Sequence, residues 1–550
     1  MRRPLSRLGR ISLSLDLLAR SPLRRSSCYY RMSYTVKESY PIWLAGKEVQ
    51  GQAERIPIED PATGEIIAYC NAASPAQVAE AITEAQRVFD AGTWSRKAPA
   101  DRAAVLSEIS RQFQAKVKDL AVLESKQTGR PYREMSTQLG RLHEWFDYAA
   151  ALARTEEGST QPVRGNLLNY VRREPLGVCA LVSSFNHPLL ISIKKLAFAL
   201  AAGNSVILKP SELAPLSTLE LAKIAQSAGL PDGVFSVLPG YGLTTGKALV
   251  SDPRIKKVDL TGGTAGGRAI GEIVGRNLTS YTAELGGKAP IVVFANTDLE
   301  IAVNGVAFAS FIASGQTCVA GTRIIVQQPI FDSFLSLLTA KCASITSRIG
   351  SPFNKSSMMG PIISAKQLEI VEVLVESAKK DGARIVCGGE RMKGKSGLDG
   401  HDLSAGYFYP PTLITGTSTV DATKLRIWRE EAFGPVLVIV PFHTEEEAIK
   451  LANDSEYGLG SAIWTRDGAQ AIRVSNALEH GLVWVNTHHR NDPSSPWGGY
   501  KNSGVGRENG HEAYRSYTQS KSVIVNFATE DESRTMDDWF REEDREVRYG

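Results

Sequence analysis

Residues 177–293 alternate between short apolar runs and helical stretches, and no other feature constrains the fold of this 550-residue chain as tightly. The runs lie at 177–183, 205–208, 234–238, 257–260 and 290–294, with helical patterns near 188–202, 217–228, 243–250 and 265–276. Strand, helix, strand, helix predicts a parallel sheet with crossover helices. Ligands of such sheets bind beyond the carboxyl ends of the strands, so the residues after each run are the first candidates for a site.

Those residues carry chemistry. The first run ends in Ser183-Ser184-Phe185-Asn186-His187-Pro188 and the second in Lys209-Pro210-Ser211-Glu212. The fourth ends in Thr261-Gly262-Gly263-Thr264-Ala265-Gly266-Gly267. A Gly-rich turn opening a helix brings backbone N–H groups and the helix dipole to a phosphate. The spacing is not G-x-G-x-x-G, and a tight structural turn is the alternative. The Lys209/Glu212 pair strengthens the cofactor reading, since a carboxylate accepts from ribose hydroxyls and a lysine donates to the ribose.

Upstream, Ser74-Pro75-Ala76-Gln77 reads as a capping box before a helix that Gly92 stops. A longer helix follows Asp101 and ends before Gly129-Arg130-Pro131. Downstream, Thr297-Asp298-Leu299-Glu300 reads as a second capping box, followed by an almost wholly apolar helix to Gly315. A helix apolar all round is expected to be buried. It delivers Gly315-Gln316-Thr317-Cys318, where Cys318 is either a stabilised nucleophilic thiolate or an inert core cysteine. The six cysteines form no C-x-x-C pair and show no metal-ligand spacing, so they are expected reduced.

Charge is unevenly placed. Residues 1–31 hold eight arginines and one acid, leaving 55 basic and 58 acidic residues, a net −3, in the rest of the chain. No basic stripe with interleaved aromatics remains, so a nucleic-acid partner is not expected. No apolar run of about 18 residues suggests a spanning helix. The Arg- and Ser-rich leader, with Leu5, Leu8, Ile11, Leu15 and Leu18 at helical spacing, reads as a mitochondrial transit peptide. A disordered basic tail, or a start at Met32 that keeps the chain cytosolic, is the alternative. At the other end, 529–550 carries nine acids and four arginines and reads as a solvated, helical tail.

Together these pieces resemble the aldehyde dehydrogenase superfamily of the hydrolytic NAD(P)-dependent kind. Glu284-Leu285-Gly286-Gly287-Lys288 is similar to its glutamate signature, and Gly315-Gln316-Thr317-Cys318 to its cysteine signature. Glu430-Glu431-Ala432-Phe433-Gly434-Pro435-Val436 resembles a third motif. The segments from Asn453 to Gly460 and from Pro496 to Gly504 are similar to two more. The resemblance spans roughly 40–527 and implies an α/β chain in three parts. They are a Rossmann-like cofactor domain (38–152 and 176–286), an α/β catalytic domain (287–490) and a small β oligomerisation arm (153–175 and 491–527). An acidic tail follows at 528–550. Dimers or tetramers are implied.

The same resemblance implies roles. Cys318 is the nucleophile on a small-molecule aldehyde, Asn186 and the Cys318 N–H hold the oxyanion, and Glu284 activates the hydrolytic water. Members that pass the acyl group to coenzyme A usually lack that glutamate, so a free acid is expected. Lys209 and Glu212 meet the adenosine ribose, and the Glu212 carboxylate repels a 2′-phosphate, favouring NAD over NADP. Gly262, Gly263 and Leu285 lie at the cofactor, Glu431 at the nicotinamide ribose and Phe433 by the ring. Many members have serine where Gly263 stands, and its loss loosens pyrophosphate binding. Phe185, His187, Lys194, Thr317 and Trp497 are expected at the substrate pocket, with a polar loop at His488-His489-Arg490-Asn491-Asp492. Lys194 falls where the tunnel usually has an apolar or aromatic side chain. It favours an acidic or polar aldehyde, as in a semialdehyde dehydrogenase, or else it faces solvent or pairs with an acid. A non-enzymatic protein keeping the fold would have lost the nucleophile or base, and neither is lost.

Overall fold

The computed structural model describes residues 28–30, 34–536, 538, 540 and 542. Helix Pro75–Ala91 starts as its sequence dictates. Ser74 Oγ accepts from the Gln77 N–H, Gln77 Oε1 accepts from the Ser74 N–H, and Gly92 closes the helix in a left-handed conformation. Helix Pro99–Thr128 runs to Gly129, also left-handed.

Five parallel strands form the centre of an eight-stranded sheet. In spatial order they are Ser280–Glu284, Ile255–Thr261, Val178–Val182, Ser205–Lys209 and Phe235–Val237. Strand order reverses between Val178–Val182 and Ile255–Thr261, which places a ligand crevice beyond their carboxyl ends. Both faces of Val178–Val182 are covered, as a parallel sheet requires. Cys179 and Leu181 meet helices Pro99–Thr128, Pro188–Ala201 and Leu216–Ser227, while Val178 and Ala180 meet helix Pro75–Ala91.

One member of the expected alternation changes place. The run at 290–294 becomes strand Ala289–Val293 of a second sheet, and Ser280–Glu284 takes its position in the first. Ser-Tyr-Thr-Ala-Glu carries too few apolar residues to stand out as a strand; its inner end is buried all the same. The stretch near 243–250 opens as a π turn, Gly242–Gly246, before helix Lys247–Ser251.

The second sheet has seven strands. In order they are Arg384–Cys387, Thr412–Thr415, Val436–Phe442, Gly321–Gln327, Ala289–Val293, Gly460–Trp464 and Leu482–Val485, with only the first pair antiparallel. Helix Leu299–Phe311 departs from expectation twice. Its cap is Asp298 rather than Thr297, the Asp298 carboxylate accepting from the N–H groups of Glu300 and Ile301. It is also not buried all round, for Ile301 and Phe308 are exposed.

Leu167–Pro175 pairs antiparallel with Thr518–Asn526 along nine residues, and Ser159–Gln161 adds a third strand. Most of 491–517, expected in this arm, lies elsewhere. Gly504–Val505 pairs with Ser280–Glu284 at the edge of the first sheet, Tyr500–Lys501 pairs with Tyr457–Gly458, and helix Gly510–Ser516 packs on helix Pro188–Ala201.

The leader expected over 1–31 lies outside the described residues except for Cys28, Tyr29 and Tyr30. These three join the folded body: the Lys355 N–H donates to the Cys28 carbonyl, the Tyr30 N–H donates to the Phe353 carbonyl, and Tyr30 packs on Tyr132. Of the expected tail, Glu530–Met536 is helical; the remainder, apart from 538, 540 and 542, lies outside the described residues.

Candidate active site

Cys318 is presented by a bend. Beyond Phe311, Ala313, Ser314 and Gly315 all adopt positive φ, of 53°, 56° and 72°, and the chain reverses. Two contacts hold the strained pair: Ser314 Oγ donates to the Gly360 carbonyl (2.8 Å) and the Ala313 N–H donates to Glu134 (3.2 Å). Gly287 lets the Glu284–Lys288 turn approach, since a Cβ there would stand 2.1 Å from the Cys318 carbonyl oxygen. Thr317 is buried one residue before the thiol. Burial, then the fields of Glu284 and Glu431, push the Cys318 thiol up to about 12 against the pull of Lys194. A thiol in that environment needs a nearby base to react.

Asn186 reaches the cysteine loop from the end of Val178–Val182. Its Nδ2 donates to the Gln316 carbonyl (2.9 Å), and Ser184 Oγ donates to its Oδ1 (2.8 Å). A carboxamide nitrogen has two N–H donors, and this contact uses one. Arg130, fully buried, donates to the Asn186 carbonyl (2.9 Å) and to His187 Nδ1 (2.7 Å), and pairs with Glu134. Burial and the Arg130 charge hold His187 well below its ordinary pKa, so its ring is neutral. Arg130 was invisible as a site residue, because Gly-Arg-Pro reads only as a helix stop.

Glu284 ends strand Ser280–Glu284. It is buried, and neither carboxyl oxygen has a hydrogen-bond partner among the described residues. Burial first, then Glu508, raise its pKa well above the ordinary carboxyl range. Around it lies a buried charge chain that no motif announced. Lys194 Nζ meets Glu508 Oε2 (2.6 Å), Lys195 Nζ meets Glu508 Oε1 and Asp259, and the Tyr517 hydroxyl donates to Asp259. Burial alone would raise the Glu508 pKa, but the two ammonium groups outweigh it and hold the carboxyl down to about 2. Lys194 thus pairs with an acid and does not face solvent.

Trp497 exchanges both backbone hydrogen bonds with Glu508 (2.8 Å each), and Lys194 Nζ lies 4.5 Å from its ring centroid. In the expected polar loop, the two histidines pack inward. His488 is buried against Trp484, and His489 Nε2 contacts the Ala309 carbonyl (3.1 Å). Burial lowers the His489 pKa to about 4 and holds His488 well below its ordinary value, so both rings are neutral.

The crevice at the strand reversal suits a dinucleotide. Gly263 caps helix Thr264–Arg276 with no side chain on its first-turn N–H groups, and a Cβ at Gly263 or Gly266 would meet nothing within 4 Å. That leaves an open anion cradle. The Gly262 N–H donates to the Glu284 carbonyl (3.0 Å), a Cβ at Gly262 would meet only the Leu260 side chain, and the Leu285 side chain packs against Gly267. Lys209 ends its strand buried, donating to the Pro210 carbonyl (2.8 Å), with Glu212 at 3.7 Å and half-exposed. Opposite, Glu431 accepts from the Gly287 N–H (3.0 Å), and burial raises its pKa to about 7. Phe433 (φ 49°) stands edge-on to Phe185 at 5.6 Å, tying the Glu431 loop to the Asn186 loop.

Known proteins share this arrangement. A family model described as the aldehyde dehydrogenase family matches residues 48–523. A betaine aldehyde dehydrogenase of Cereibacter sphaeroides is 40% identical over 471 residues, covering 86% of this chain and 93% of its own. The crystal structure of betaine aldehyde dehydrogenase from Staphylococcus aureus in complex with NAD+ superposes with a TM-score of 0.86 at 34% identity. It covers 91% of this chain and 97% of its own.

Proposed function

Because the chain belongs to the aldehyde dehydrogenase family, we propose that it oxidises an aldehyde to the carboxylic acid with NAD, using Cys318, Asn186 and Glu284. The observation that carries this reading is their convergence: Asn186 is bonded to the Cys318 loop, and the unpartnered Glu284 carboxyl dominates the field at the thiol.

Glu284, raised by burial, is a stronger proton acceptor than an ordinary carboxylate, and it takes the Cys318 proton. The sulfur attacks the carbonyl carbon, forming the C–S bond of a thiohemiacetal. The free Asn186 N–H and the Cys318 backbone N–H receive the oxyanion, each donor contributing roughly 3 kcal/mol. Lys209, Glu212, Glu431 and the Gly263 cradle would hold NAD, which when bound would accept the hydride that leaves the thiohemiacetal carbon. Once the carbonyl re-forms, Cys318 carries a thioester. Glu284, having passed the Cys318 proton on to solvent, deprotonates a water that attacks the thioester, the C–S bond breaks, and the acid leaves with the thiolate restored. Glu212, beside the expected ribose position, supports NAD over NADP.

The test is NADH formation with propanal and benzaldehyde, run with NAD and with NADP. Cys318→Ala is expected to lose at least about 1,000-fold in kcat. A wild type that turns over nothing across a broad aldehyde panel ends the enzyme reading.

Two further readings belong here. Copies of the chain join through the arm of 159–175 and 518–526, whose apolar side chains Leu168, Tyr170, Ile524 and Val525 are exposed, as is Phe527 just beyond it. The arginine-rich leader supports mitochondrial delivery; fractionation of the full chain against one started at Met32 tests that, and identical cytosolic signals count against it.

A further inference from the structure

We propose that Lys194 sets the charge of the substrate: its ammonium fills the π face of Trp497 and excludes aldehydes with a cationic head. The inference rests on the aldehyde chemistry proposed at Cys318 and adds the substrate class.

Trp497 stands beside the reacting groups. Its neighbour Gly498 is so close to the base that a Cβ there would lie 2.9 Å from Glu284 Oε1, and Trp497 and Cys318 pack on the same apolar cluster. An indole face in such a place is a natural seat for a quaternary ammonium. Here the seat is taken. Lys194 Nζ lies 4.5 Å from the ring centroid, and its side chain is 5% exposed.

The ammonium is locked there. It pairs with Glu508 at 2.6 Å, and Glu508 is fixed to Trp497 through two backbone hydrogen bonds. Ring, cation and carboxylate therefore form one rigid unit. Glu508 offers no spare counter-charge, since Lys194 takes one oxygen and Lys195 the other. A substrate cation entering this space meets the Lys194 ammonium on the ring it would need, while the carboxylates of Glu508 and Asp259 are already paired. Rejection by a built-in like charge is a recognised source of specificity. An uncharged aldehyde meets none of this.

Relatives are named for betaine aldehyde, whose head is a trimethylammonium group. It supplies the probe. tert-Butylacetaldehyde is its hydrocarbon isostere, equal in shape and without the charge. With the full chain and NAD, kcat/KM for the isostere is expected to exceed that for betaine aldehyde by about 100-fold. Lys194→Met, close in volume, should shrink that ratio by roughly tenfold or more, while Lys194→Arg, which keeps the charge, should preserve it. Because the ratio is taken within one protein, general losses in folding or chemistry cancel. Equal kcat/KM in the wild type, a preference for betaine aldehyde, or an unchanged ratio in Lys194→Met overturns the proposal.

A binding arm separates this from failure of the enzyme reading. Titration of Cys318→Ala with the two aldehydes, read by tryptophan fluorescence, should show binding of the isostere, and binding of the cation only when Lys194→Met is added. That pattern without turnover leaves the charge rule standing and removes the chemistry. Equal binding of both aldehydes to Cys318→Ala removes the charge rule.

Discussion

Glu284 sits buried with neither oxygen hydrogen-bonded among the described residues, and the sign of its effect on stability follows from that. Burial and Glu508 raise its folded-state pKa, so the folded chain holds this proton more tightly than the unfolded one. The stabilisation is fully present below the unfolded value of about 4.3 and is lost as pH rises through the folded value. Glutamine cannot ionise. Glu284→Gln is therefore expected to match the wild-type Tm below about pH 4 and to exceed it by on the order of 1–3 °C at about pH 8–9. The same variant should lose about 100-fold or more in acid formation. A Tm difference that does not grow with pH contradicts this account of the carboxyl. Glu284, Cys318 and Asn186 were legible because each lies in a local motif. The charges around them were not: Lys195 and Glu508 are 313 positions apart, and Arg130 acts through a backbone carbonyl of a distant loop. Such pairings are made by the tertiary fold, and no local spacing encodes them.

At the scale of elements, the bend at 313–315 does the most with the fewest residues. Ala313 and Ser314 hold a conformation that L residues adopt reluctantly, and Gly315 lets the chain pass the Gly434 carbonyl. A Cβ at Gly315 would lie 2.3 Å from that oxygen and 2.8 Å from the Pro435 nitrogen, both backbone atoms. Gly315→Ala is expected to cost about 2–4 kcal/mol of stability and to move Cys318 away from Asn186. Denaturant unfolding measures the first effect. For the second, kcat should fall with little change in NAD affinity, because the Gly263 cradle lies on another element. A variant with wild-type kcat would mean that the bend does not position the thiol. Helices with strong end signals, such as Pro75–Ala91, were readable to the residue at both ends. Strand Ser280–Glu284 was not, because its place comes from pairing with Ile255–Thr261 and not from an apolar pattern of its own. The cap at Asp298 shows the same limit: two adjacent residues could both cap, and the backbone angle chose the second.

The whole molecule leaves one part without a core. The arm is three strands long in its widest section, and a sheet of that size is stable only when a hydrophobic face is covered. Leu168, Val525 and Ile524 are 43%, 42% and 60% exposed, and Phe527 just beyond the strand is 63% exposed. Leu167–Pro175 lies between the two segments of the cofactor domain and Thr518–Asn526 beyond the catalytic domain, yet they meet along nine residues, so the chain maintains this sheet at considerable cost in ordering. Exposed apolar groups on a projecting sheet mark an association surface, and the occupant that fits every copy equally is a second copy of this chain. The alternation of strands and helices foretold the first large sheet; the second sheet's domain and the arm were foreseen only through the family resemblance, since isolated short strands carry no signal of what they pair with. Sedimentation velocity at micromolar concentration should find the wild type as a dimer or tetramer. Ile524→Asp combined with Phe527→Asp places two carboxylates where apolar contacts are expected, and should shift the protein to monomer with a lower Tm. A wild type that sediments as monomer, or a double variant that assembles unchanged, would leave the arm without the role assigned to it.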